Sequence, residues 1–175
     1  MRKRTIIFLF FLALFFSEKV YATSNSSQNV VVDGSYYDWN VYYIDDLSGE
    51  KKCYIASFAI KSIGNYKKER KPYVMIAYFT AKDAEEISIF ADYDYKLKSS
   101  IYVGLDNKQF RMFTKGKMAW AKSKQDDKNL IKEILQAKEI RTRGETITGE
   151  YTVDTFSSKG LARAYQRMKE LCNIK

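Results

Sequence analysis

The chain has 175 residues, with 30 Lys and Arg against 21 Asp and Glu, no His, two Cys and 14 Tyr. This length suits one domain with a sizeable core. The absence of His excludes Ser-His-Asp and Cys-His catalysis and imidazole metal ligands, and two Cys cannot by themselves hold a four-thiolate zinc site or an iron–sulfur cluster. We therefore expect a protein that is not an enzyme and has no cofactor.

The N-terminal segment is typical of a secretory signal. Residues 1–4 are basic, residues 5–16 are mostly apolar, and Val20-Tyr21-Ala22 places small or aliphatic residues at −3 and −1. Because a bilayer span needs roughly 20 apolar residues, cleavage after residue 22 is predicted rather than a retained anchor. Export to the periplasm, the outer surface or the medium follows, with a flexible tail at 23–30 and a single β-rich domain at 31–175. Cleavage leaves 26 basic and 20 acidic side chains, a net charge of +6.

Most of the remaining chain alternates between apolar and polar residues, which indicates short strands. One face of the first predicted strand, residues 36–44, carries Tyr37, Trp39, Val41 and Tyr43. Residues 45–50 are predicted to form a hairpin turn. Further strands are predicted at 52–60, 73–79, 87–90, 100–103, 110–113, 118–121, 139–143 and 146–154. The unbroken apolarity of 73–79 indicates a central strand.

Two segments instead have helical periodicity. Residues 126–136 form an amphipathic pattern whose start an aspartate can cap. Residues 158–172 carry one apolar stripe, and Ser157 or Ser158 is predicted to accept from the first-turn amides. The fold is therefore predicted to be mainly β, a sandwich or barrel-like antiparallel sheet with an internal short helix and a C-terminal amphipathic helix.

Cys53 and Cys172 are the only thiols. Export places them where disulfides persist, so we expect an intramolecular bond between the strand at 52–60 and the C-terminal helix. Two buried free thiols or an intermolecular bridge are the alternatives. The bond is expected to be structural, because catalytic pairs usually lie two residues apart.

Three features together resemble a known family. Asp38-Trp39-Asn40-Val41 follows closely on the exported N-terminus, Cys53 lies in a strand after a polar turn, and the block at 151–161 leads into a helix that ends in Cys172. In order and spacing the chain resembles the invasion-associated locus B family of Gram-negative exported proteins. The resemblance implies a small β-rich periplasmic or surface-associated domain, linked in some pathogens to entry into host cells, and it brings no catalytic residues. One departure is Tyr42-Tyr43, which stands where many members have an additional Cys.

The densest basic run of the mature chain precedes its lone proline, so it is expected to project as a loop. Clustered cations attract anionic partners. The candidate contact residues are Lys61, Lys67, Lys68, Arg70 and Lys71. Their expected partner is an anionic glycan or protein of the host-cell surface or the envelope, and the alternative is a loop that only aids solubility. Nucleic acid is not expected, since no motif for it is present, and the protein is expected to be a monomer.

The acidic residues and the tyrosines each suggest a further interpretation. Glu85, Glu86, Asp92 and Asp94 could supply a calcium site or a glycosidase pair, but the spacing is not that of an EF-hand, and no metal is predicted. The Tyr-rich strands could instead line a cavity, which would suit a periplasmic envelope module that binds a small hydrophobic or anionic ligand. A filled core with an exposed basic surface around residues 61–73 would favour an interaction module that contributes to host-cell association or invasion.

Overall fold

The computed structural model describes residues 30–45 and 51–174. The predicted signal peptide, residues 23–29 of the predicted tail and residues 46–50 of the predicted turn lie outside them. The described strands are β1 (Val30–Tyr36), β2 (Trp39–Asp45), β3 (Lys51–Phe58), β4 (Lys61–Gly64), β5 (Tyr73–Phe79), β6 (Ala84–Phe90), β7 (Ser100–Leu105), β8 (Lys108–Lys115), β9 (Met118–Trp120), β10 (Glu139–Glu145) and β11 (Tyr151–Ser157). The helices are α1 (Lys124–Ile134) and α2 (Leu161–Leu171), and Thr80–Lys82 forms a single 3₁₀ turn.

All paired strands are antiparallel, in the order β1-β2-β3-β5-β6-β9-β8-β7-β10-β11-β4. β4 follows β3 after only two residues, yet it pairs with β11 at the far end of this order. At the bend, the Ile60 amide donates to the Thr155 carbonyl (2.8 Å). The continuous β3–β4 segment therefore closes the sheet on itself, and the prediction of a mainly β, barrel-like antiparallel sheet with two helices is confirmed.

The first predicted strand is in fact a hairpin. Tyr37 has φ +53°, and Tyr36 pairs with Trp39, so a two-residue turn separates β1 from β2. Trp39 and Val41 are fully buried as predicted, but Tyr37 is 79% exposed, so its assignment to their face is wrong. The predicted strand at 146–154 also begins late, because Thr146 and Thr148 donate to the Glu150 carboxylate in a turn that precedes β11.

The helix starts differ from the predictions for local reasons. α1 begins earlier than predicted, with Ser123 as its cap: the Ser123 hydroxyl oxygen accepts from the Asp126 amide (3.2 Å). Ser157 and Ser158 do not cap α2, whose N-cap is Gly160 at φ +89°. A side chain at position 160 would overlap the carbonyl oxygen of Tyr36, so this close approach of β1 requires glycine.

Large side chains fill the interior of the sheet. Trp39, Ile55, Ile76 and Phe156 are fully buried, and the Trp39 indole donates to the Ser157 carbonyl (2.9 Å). α1 packs on β6 and α2 packs on β1, β2 and β3. Neither helix in the described part of the chain is long and apolar enough to cross a membrane.

Two links hold α2 against the first strands. The predicted Cys53–Cys172 disulfide is confirmed, with the two Cα atoms 6.0 Å apart. Arg167 of α2 donates twice to the Asp33 carboxylate of β1, at 2.7 and 2.8 Å. These hydrogen bonds hold the pKa of Asp33 below its ordinary value, so the ion pair stabilises the fold above that ordinary pKa and is lost as the pH falls through the lowered one.

Asp127 connects α1 to the sheet through a buried carboxyl group, whose contribution to the stability of the fold depends on pH. It is 8% exposed, and its carboxylate accepts from the Ile87 amide of β6 (2.9 Å). Burial raises the pKa of this carboxyl above the ordinary 3.8, with a further contribution from the negative charges of Glu86 and Asp126. The carboxyl therefore contributes stability below pH 3.8, and that contribution is lost as the pH rises through the raised pKa.

The substitution Asp127→Asn is expected to leave stability at pH 7 equal or higher, because it keeps an acceptor oxygen and removes the buried charge. The difference from the unchanged protein should shrink as the pH is lowered through the raised pKa. Urea unfolding of both proteins at pH 7 and at pH 3.5 measures this. An Asn variant that is less stable by more than about 1 kcal/mol at pH 7 would show that the charge itself holds α1 in place.

Candidate functional site

The predicted lysines lie on β4 and on the loop that follows it. Lys61, Lys67, Lys68 and Lys71 are all exposed. The loop, residues 65–72, is anchored at both ends: Asn65 exchanges hydrogen bonds with the Tyr151 backbone (2.7 and 3.2 Å), and the Lys71 amide donates to the Asp92 carboxylate (3.1 Å). Residues 65–72, which carry Lys67, Lys68 and Lys71, are here called the lysine loop, and both ends of this loop are held by hydrogen bonds, whereas Lys61 lies apart on β4.

Arg70 does not lie with the four lysines, although the sequence grouped it with them. Its side chain is 6% exposed, and its guanidinium donates twice to the Asp154 carboxylate, at 2.7 and 2.5 Å. It also donates to the Ala91 carbonyl (3.2 Å), while Ser62 donates to Asp154 (2.6 Å). Because a buried carboxylate on the inner face of β11 needs a partner, Arg70 turns inward, and it is removed from the candidate contact surface.

Aromatic rings pack around this buried pair. The Arg70 guanidinium lies over the ring of Tyr93, 5.4 Å from its centre, and the Tyr93 hydroxyl is hydrogen-bonded to Thr152 (2.8 Å). Burial raises the pKa of Tyr93 to about 12. Gly144 leaves room for the ring, since a Cβ there would lie 2.7 Å from the Tyr93 hydroxyl oxygen and 2.7 Å from the ring of Tyr95. Both tyrosines are therefore core residues, and Tyr93 contacts Arg70 and Tyr66 of the lysine loop.

Two of the four candidate carboxylates, Glu85 and Asp92, have partners on different elements. Glu85 accepts from the Tyr165 hydroxyl of α2 (2.6 Å). Burial, and then this hydrogen bond, raise the pKa of Tyr165. Asp92 accepts from the Lys71 amide and lies 3.7 Å from the Lys117 ammonium. Within residues 30–45 and 51–174 no group of three or more Cys, Asp or Glu side chains is placed to hold a metal ion.

A second basic surface occupies the outer face of β8, β7, β10, β11 and β4. Directly paired residues of antiparallel strands point to the same side. One row of such outward side chains is Arg111, Tyr102, Arg143, Val153 and Ile63. The adjoining row is Gln109, Gly104, Arg141, Thr155 and Lys61. This face therefore collects three arginines from two strands and one of the predicted lysines.

An open groove of about 800 Å³ runs over this face. It is lined by Tyr102, Gly104, Arg141, Arg143 and Val153, together with Asp106, Gln109, Glu139 and Thr142, and is here called the arginine groove. Arg141 and Arg143 are exposed, and the Arg143 guanidinium lies over the Tyr151 ring at 5.5 Å. The nearest carboxylate contact of Arg141 is a loose one with Glu139 (3.9 Å).

Sequence reasoning missed the arginine groove because the strands that form it are far apart along the chain. The alternation of residues 139–143 places Arg141 and Arg143 on one face of a strand, and that signal was available. Their neighbours Tyr102 and Arg111 belong to another hairpin, which only the strand order brings alongside.

Comparisons with known proteins identify the fold. Neither a protein-family model nor a curated protein matches this chain. Among solved structures, the crystal structure of invasion associated protein B from Bartonella henselae is similar, with a TM-score of 0.56, 11% sequence identity, and coverage of 79% of this chain and 96% of that chain. Likeness at this identity concerns the fold, and it supports the resemblance noted in the sequence. The chain thus has the fold of invasion associated protein B.

Proposed function

We propose that this protein is an exported, monomeric, non-enzymatic interaction module that contributes to host-cell association or invasion by binding anionic glycans or proteins. The observation that carries the proposal is the fold that this chain shares with invasion associated protein B from Bartonella henselae. The anchored lysine loop supports it, because its exposed cations provide a surface for such a partner.

The lysine loop suits long-range attraction better than tight, directional recognition. Ammonium groups on flexible stems act as point charges, and clustered exposed charges raise association rates in a salt-dependent way. The Debye length at physiological ionic strength is about 8 Å, so Lys67, Lys68 and Lys71 act together only on a partner that comes close to the loop.

The alternative is a periplasmic envelope module that binds a small hydrophobic or anionic ligand inside the sheet. A hydrophobic ligand needs an apolar cavity. The inward positions that would line one are occupied by fully buried side chains, among them Trp39, Ile76 and Phe156. The filled interior favours the interaction module over this alternative.

Protease shaving of intact producing cells, with a parallel blot of the medium, tests where the protein acts. An antibody against the mature domain should detect protein that is shaved off or released. Protein that stays protected until the outer membrane is opened would contradict host contact and would favour the periplasmic alternative.

Binding of the purified protein to cultured mammalian cells tests the lysine loop itself. The triple variant Lys67→Gln, Lys68→Gln, Lys71→Gln should bind several-fold less in flow cytometry, and this deficit should narrow as salt is raised. The matched control is Lys122→Gln, Lys128→Gln, Lys132→Gln, which removes the same charge from exposed positions in and beside α1. Equal binding by the two triple variants would contradict a role for the loop.

A further inference from the structure

We infer that the arginine groove is a binding site for a linear sulfated glycan, which extends beyond the groove to Arg111 on β8 and towards Lys61 on β4. The inference rests on the proposed function for the anionic-glycan class of partner, and it assigns that partner to a surface distinct from residues 65–72. Its basis is the arrangement of cations, aromatic rings and a glycine floor on one outer face of the sheet.

The cations of the groove are placed for directional contacts. Arg141 and Arg143 project from the same side of β10, about 7 Å apart along the strand, and Arg111 stands one strand beyond Tyr102. Guanidinium groups bind planar or tetrahedral oxyanions through paired N–H donors. Three carboxylates lie on the same face: Glu145 accepts from Lys96 (2.8 Å), Glu139 lies 3.9 Å from Arg141, and Asp106 lines the groove beside Glu139.

The floor of the groove is open because position 104 has no side chain. A Cβ added to Gly104 would meet one atom within 4 Å, the Arg141 carbonyl oxygen at 3.8 Å, so packing does not require glycine here. Tyr102, which is 44% exposed, and Tyr151, also 44% exposed, stand on either side of the arginines. Exposed aromatic rings between cations suit the apolar faces of sugar rings as well as their charged groups.

The length of the surface indicates a chain rather than a single ion. The row from Gln109 through Gly104, Arg141 and Thr155 to Lys61 crosses five strands, a distance of about 19 Å at the usual strand spacing. This row carries Arg141 and Lys61, and the adjoining row carries Arg111 and Arg143. A polymer with repeated sulfates can contact several of these four cations at once, and affinity should increase with its length until it spans the face.

The test measures the dissociation constants of heparin oligosaccharides of defined length for the purified, oxidised protein by calorimetry at fixed low salt. Arg141→Gln with Arg143→Gln is expected to weaken binding about tenfold or more, since it removes charge-assisted contacts. The matched control is Lys159→Gln with Arg163→Gln, which removes the same charge at exposed positions beside and on α2 and should weaken binding less than about threefold. Circular dichroism and urea unfolding show that each variant is folded.

A second variant tests the groove without changing charge. Gly104→Thr should fill the floor of the groove and should preserve the fold, because a strand tolerates threonine well. It should weaken binding of the longest oligosaccharide at least as much as binding of the shortest.

A comparison of ligands tests the preference for sulfate. Carboxylated but unsulfated hyaluronan oligosaccharides should bind more weakly than heparin fragments of equal length.

The inference is overturned if the unchanged protein does not bind heparin fragments, if the control lowers affinity as much as the groove variant, or if Gly104→Thr has no effect. Binding that is lost in the lysine-loop triple variant but kept in both groove variants also overturns it, and leaves the proposed function standing. Conversely, if heparin binding depends on the groove while the protein on intact cells resists protease shaving, that result supports the groove as a binding site and contradicts the proposed host-facing function.

Discussion

Reduction of the Cys53–Cys172 bond is expected to lower the free energy of unfolding by about 4–5 kcal/mol. The bond closes a loop of 119 residue steps, and the chain-entropy model assigns a cross-link of this length roughly that stabilisation. Domains are typically stable by about 5–15 kcal/mol, so the loss is a large part of the total. Urea unfolding with and without dithiothreitol, followed by tryptophan fluorescence, measures the change.

The double variant Cys53→Ala, Cys172→Ala separates the cross-link from the reductant. It should unfold near the midpoint of the reduced protein and should not respond to dithiothreitol. Because both sulfurs are buried, small cavities add to its loss of stability. If alkylation and intact-mass measurement find two free thiols in native oxidised protein, the disulfide is absent and this account of stability is wrong.

Removal of one partner of the Arg70–Asp154 pair is expected to destabilise the protein by about 3–5 kcal/mol. Arg70→Met leaves the Asp154 carboxylate, whose side chain is 4% exposed, with Ser62 as its neutral hydrogen-bond donor. Urea unfolding gives the change in stability. The matched control is Lys71→Met at the exposed neighbouring position, which should change stability by no more than about 0.5 kcal/mol.

A double-mutant cycle distinguishes the net stabilisation by the ion pair from the destabilisation caused by one buried charge without its partner. The variant Arg70→Met, Asp154→Leu should recover most of the loss, because two apolar side chains leave no buried charge without a partner. Losses that simply add in the double variant would mean that the two side chains act independently. If Arg70→Met is as stable as the control Lys71→Met, the Arg70 guanidinium lies on the surface and the buried pair does not exist.

Alternation along most of the chain was enough to predict the mainly β fold, because inward positions such as Val41 and Ile55 are apolar and fully buried. It could not predict the bend after Phe58, since β4 is four residues long and is defined by its pairing with β11. The split at Tyr37 was missed for a related reason: a left-handed φ at a tyrosine has no signal in the sequence pattern.

The basic run shows how charge alone misleads about a site. Its four basic residues look alike in sequence, but one of them, Arg70, pairs with a buried carboxylate 84 residues away. The sequence signal for this pair lies at Asp154. Thr152, Asp154 and Phe156 are spaced two residues apart, so they share the inner face of a strand. The arginine groove needed the strand order, which pattern reasoning does not supply.

The position of the disulfide also bears on how the protein withstands proteases. Cys53 lies near the start of the described chain and Cys172 near its end, so most of the sheet and both helices belong to one covalent ring. A single cut anywhere within that ring, including the exposed lysine loop, opens the ring but separates no fragment. Nicked molecules therefore keep their mass on a non-reducing gel and divide only when the bond is reduced.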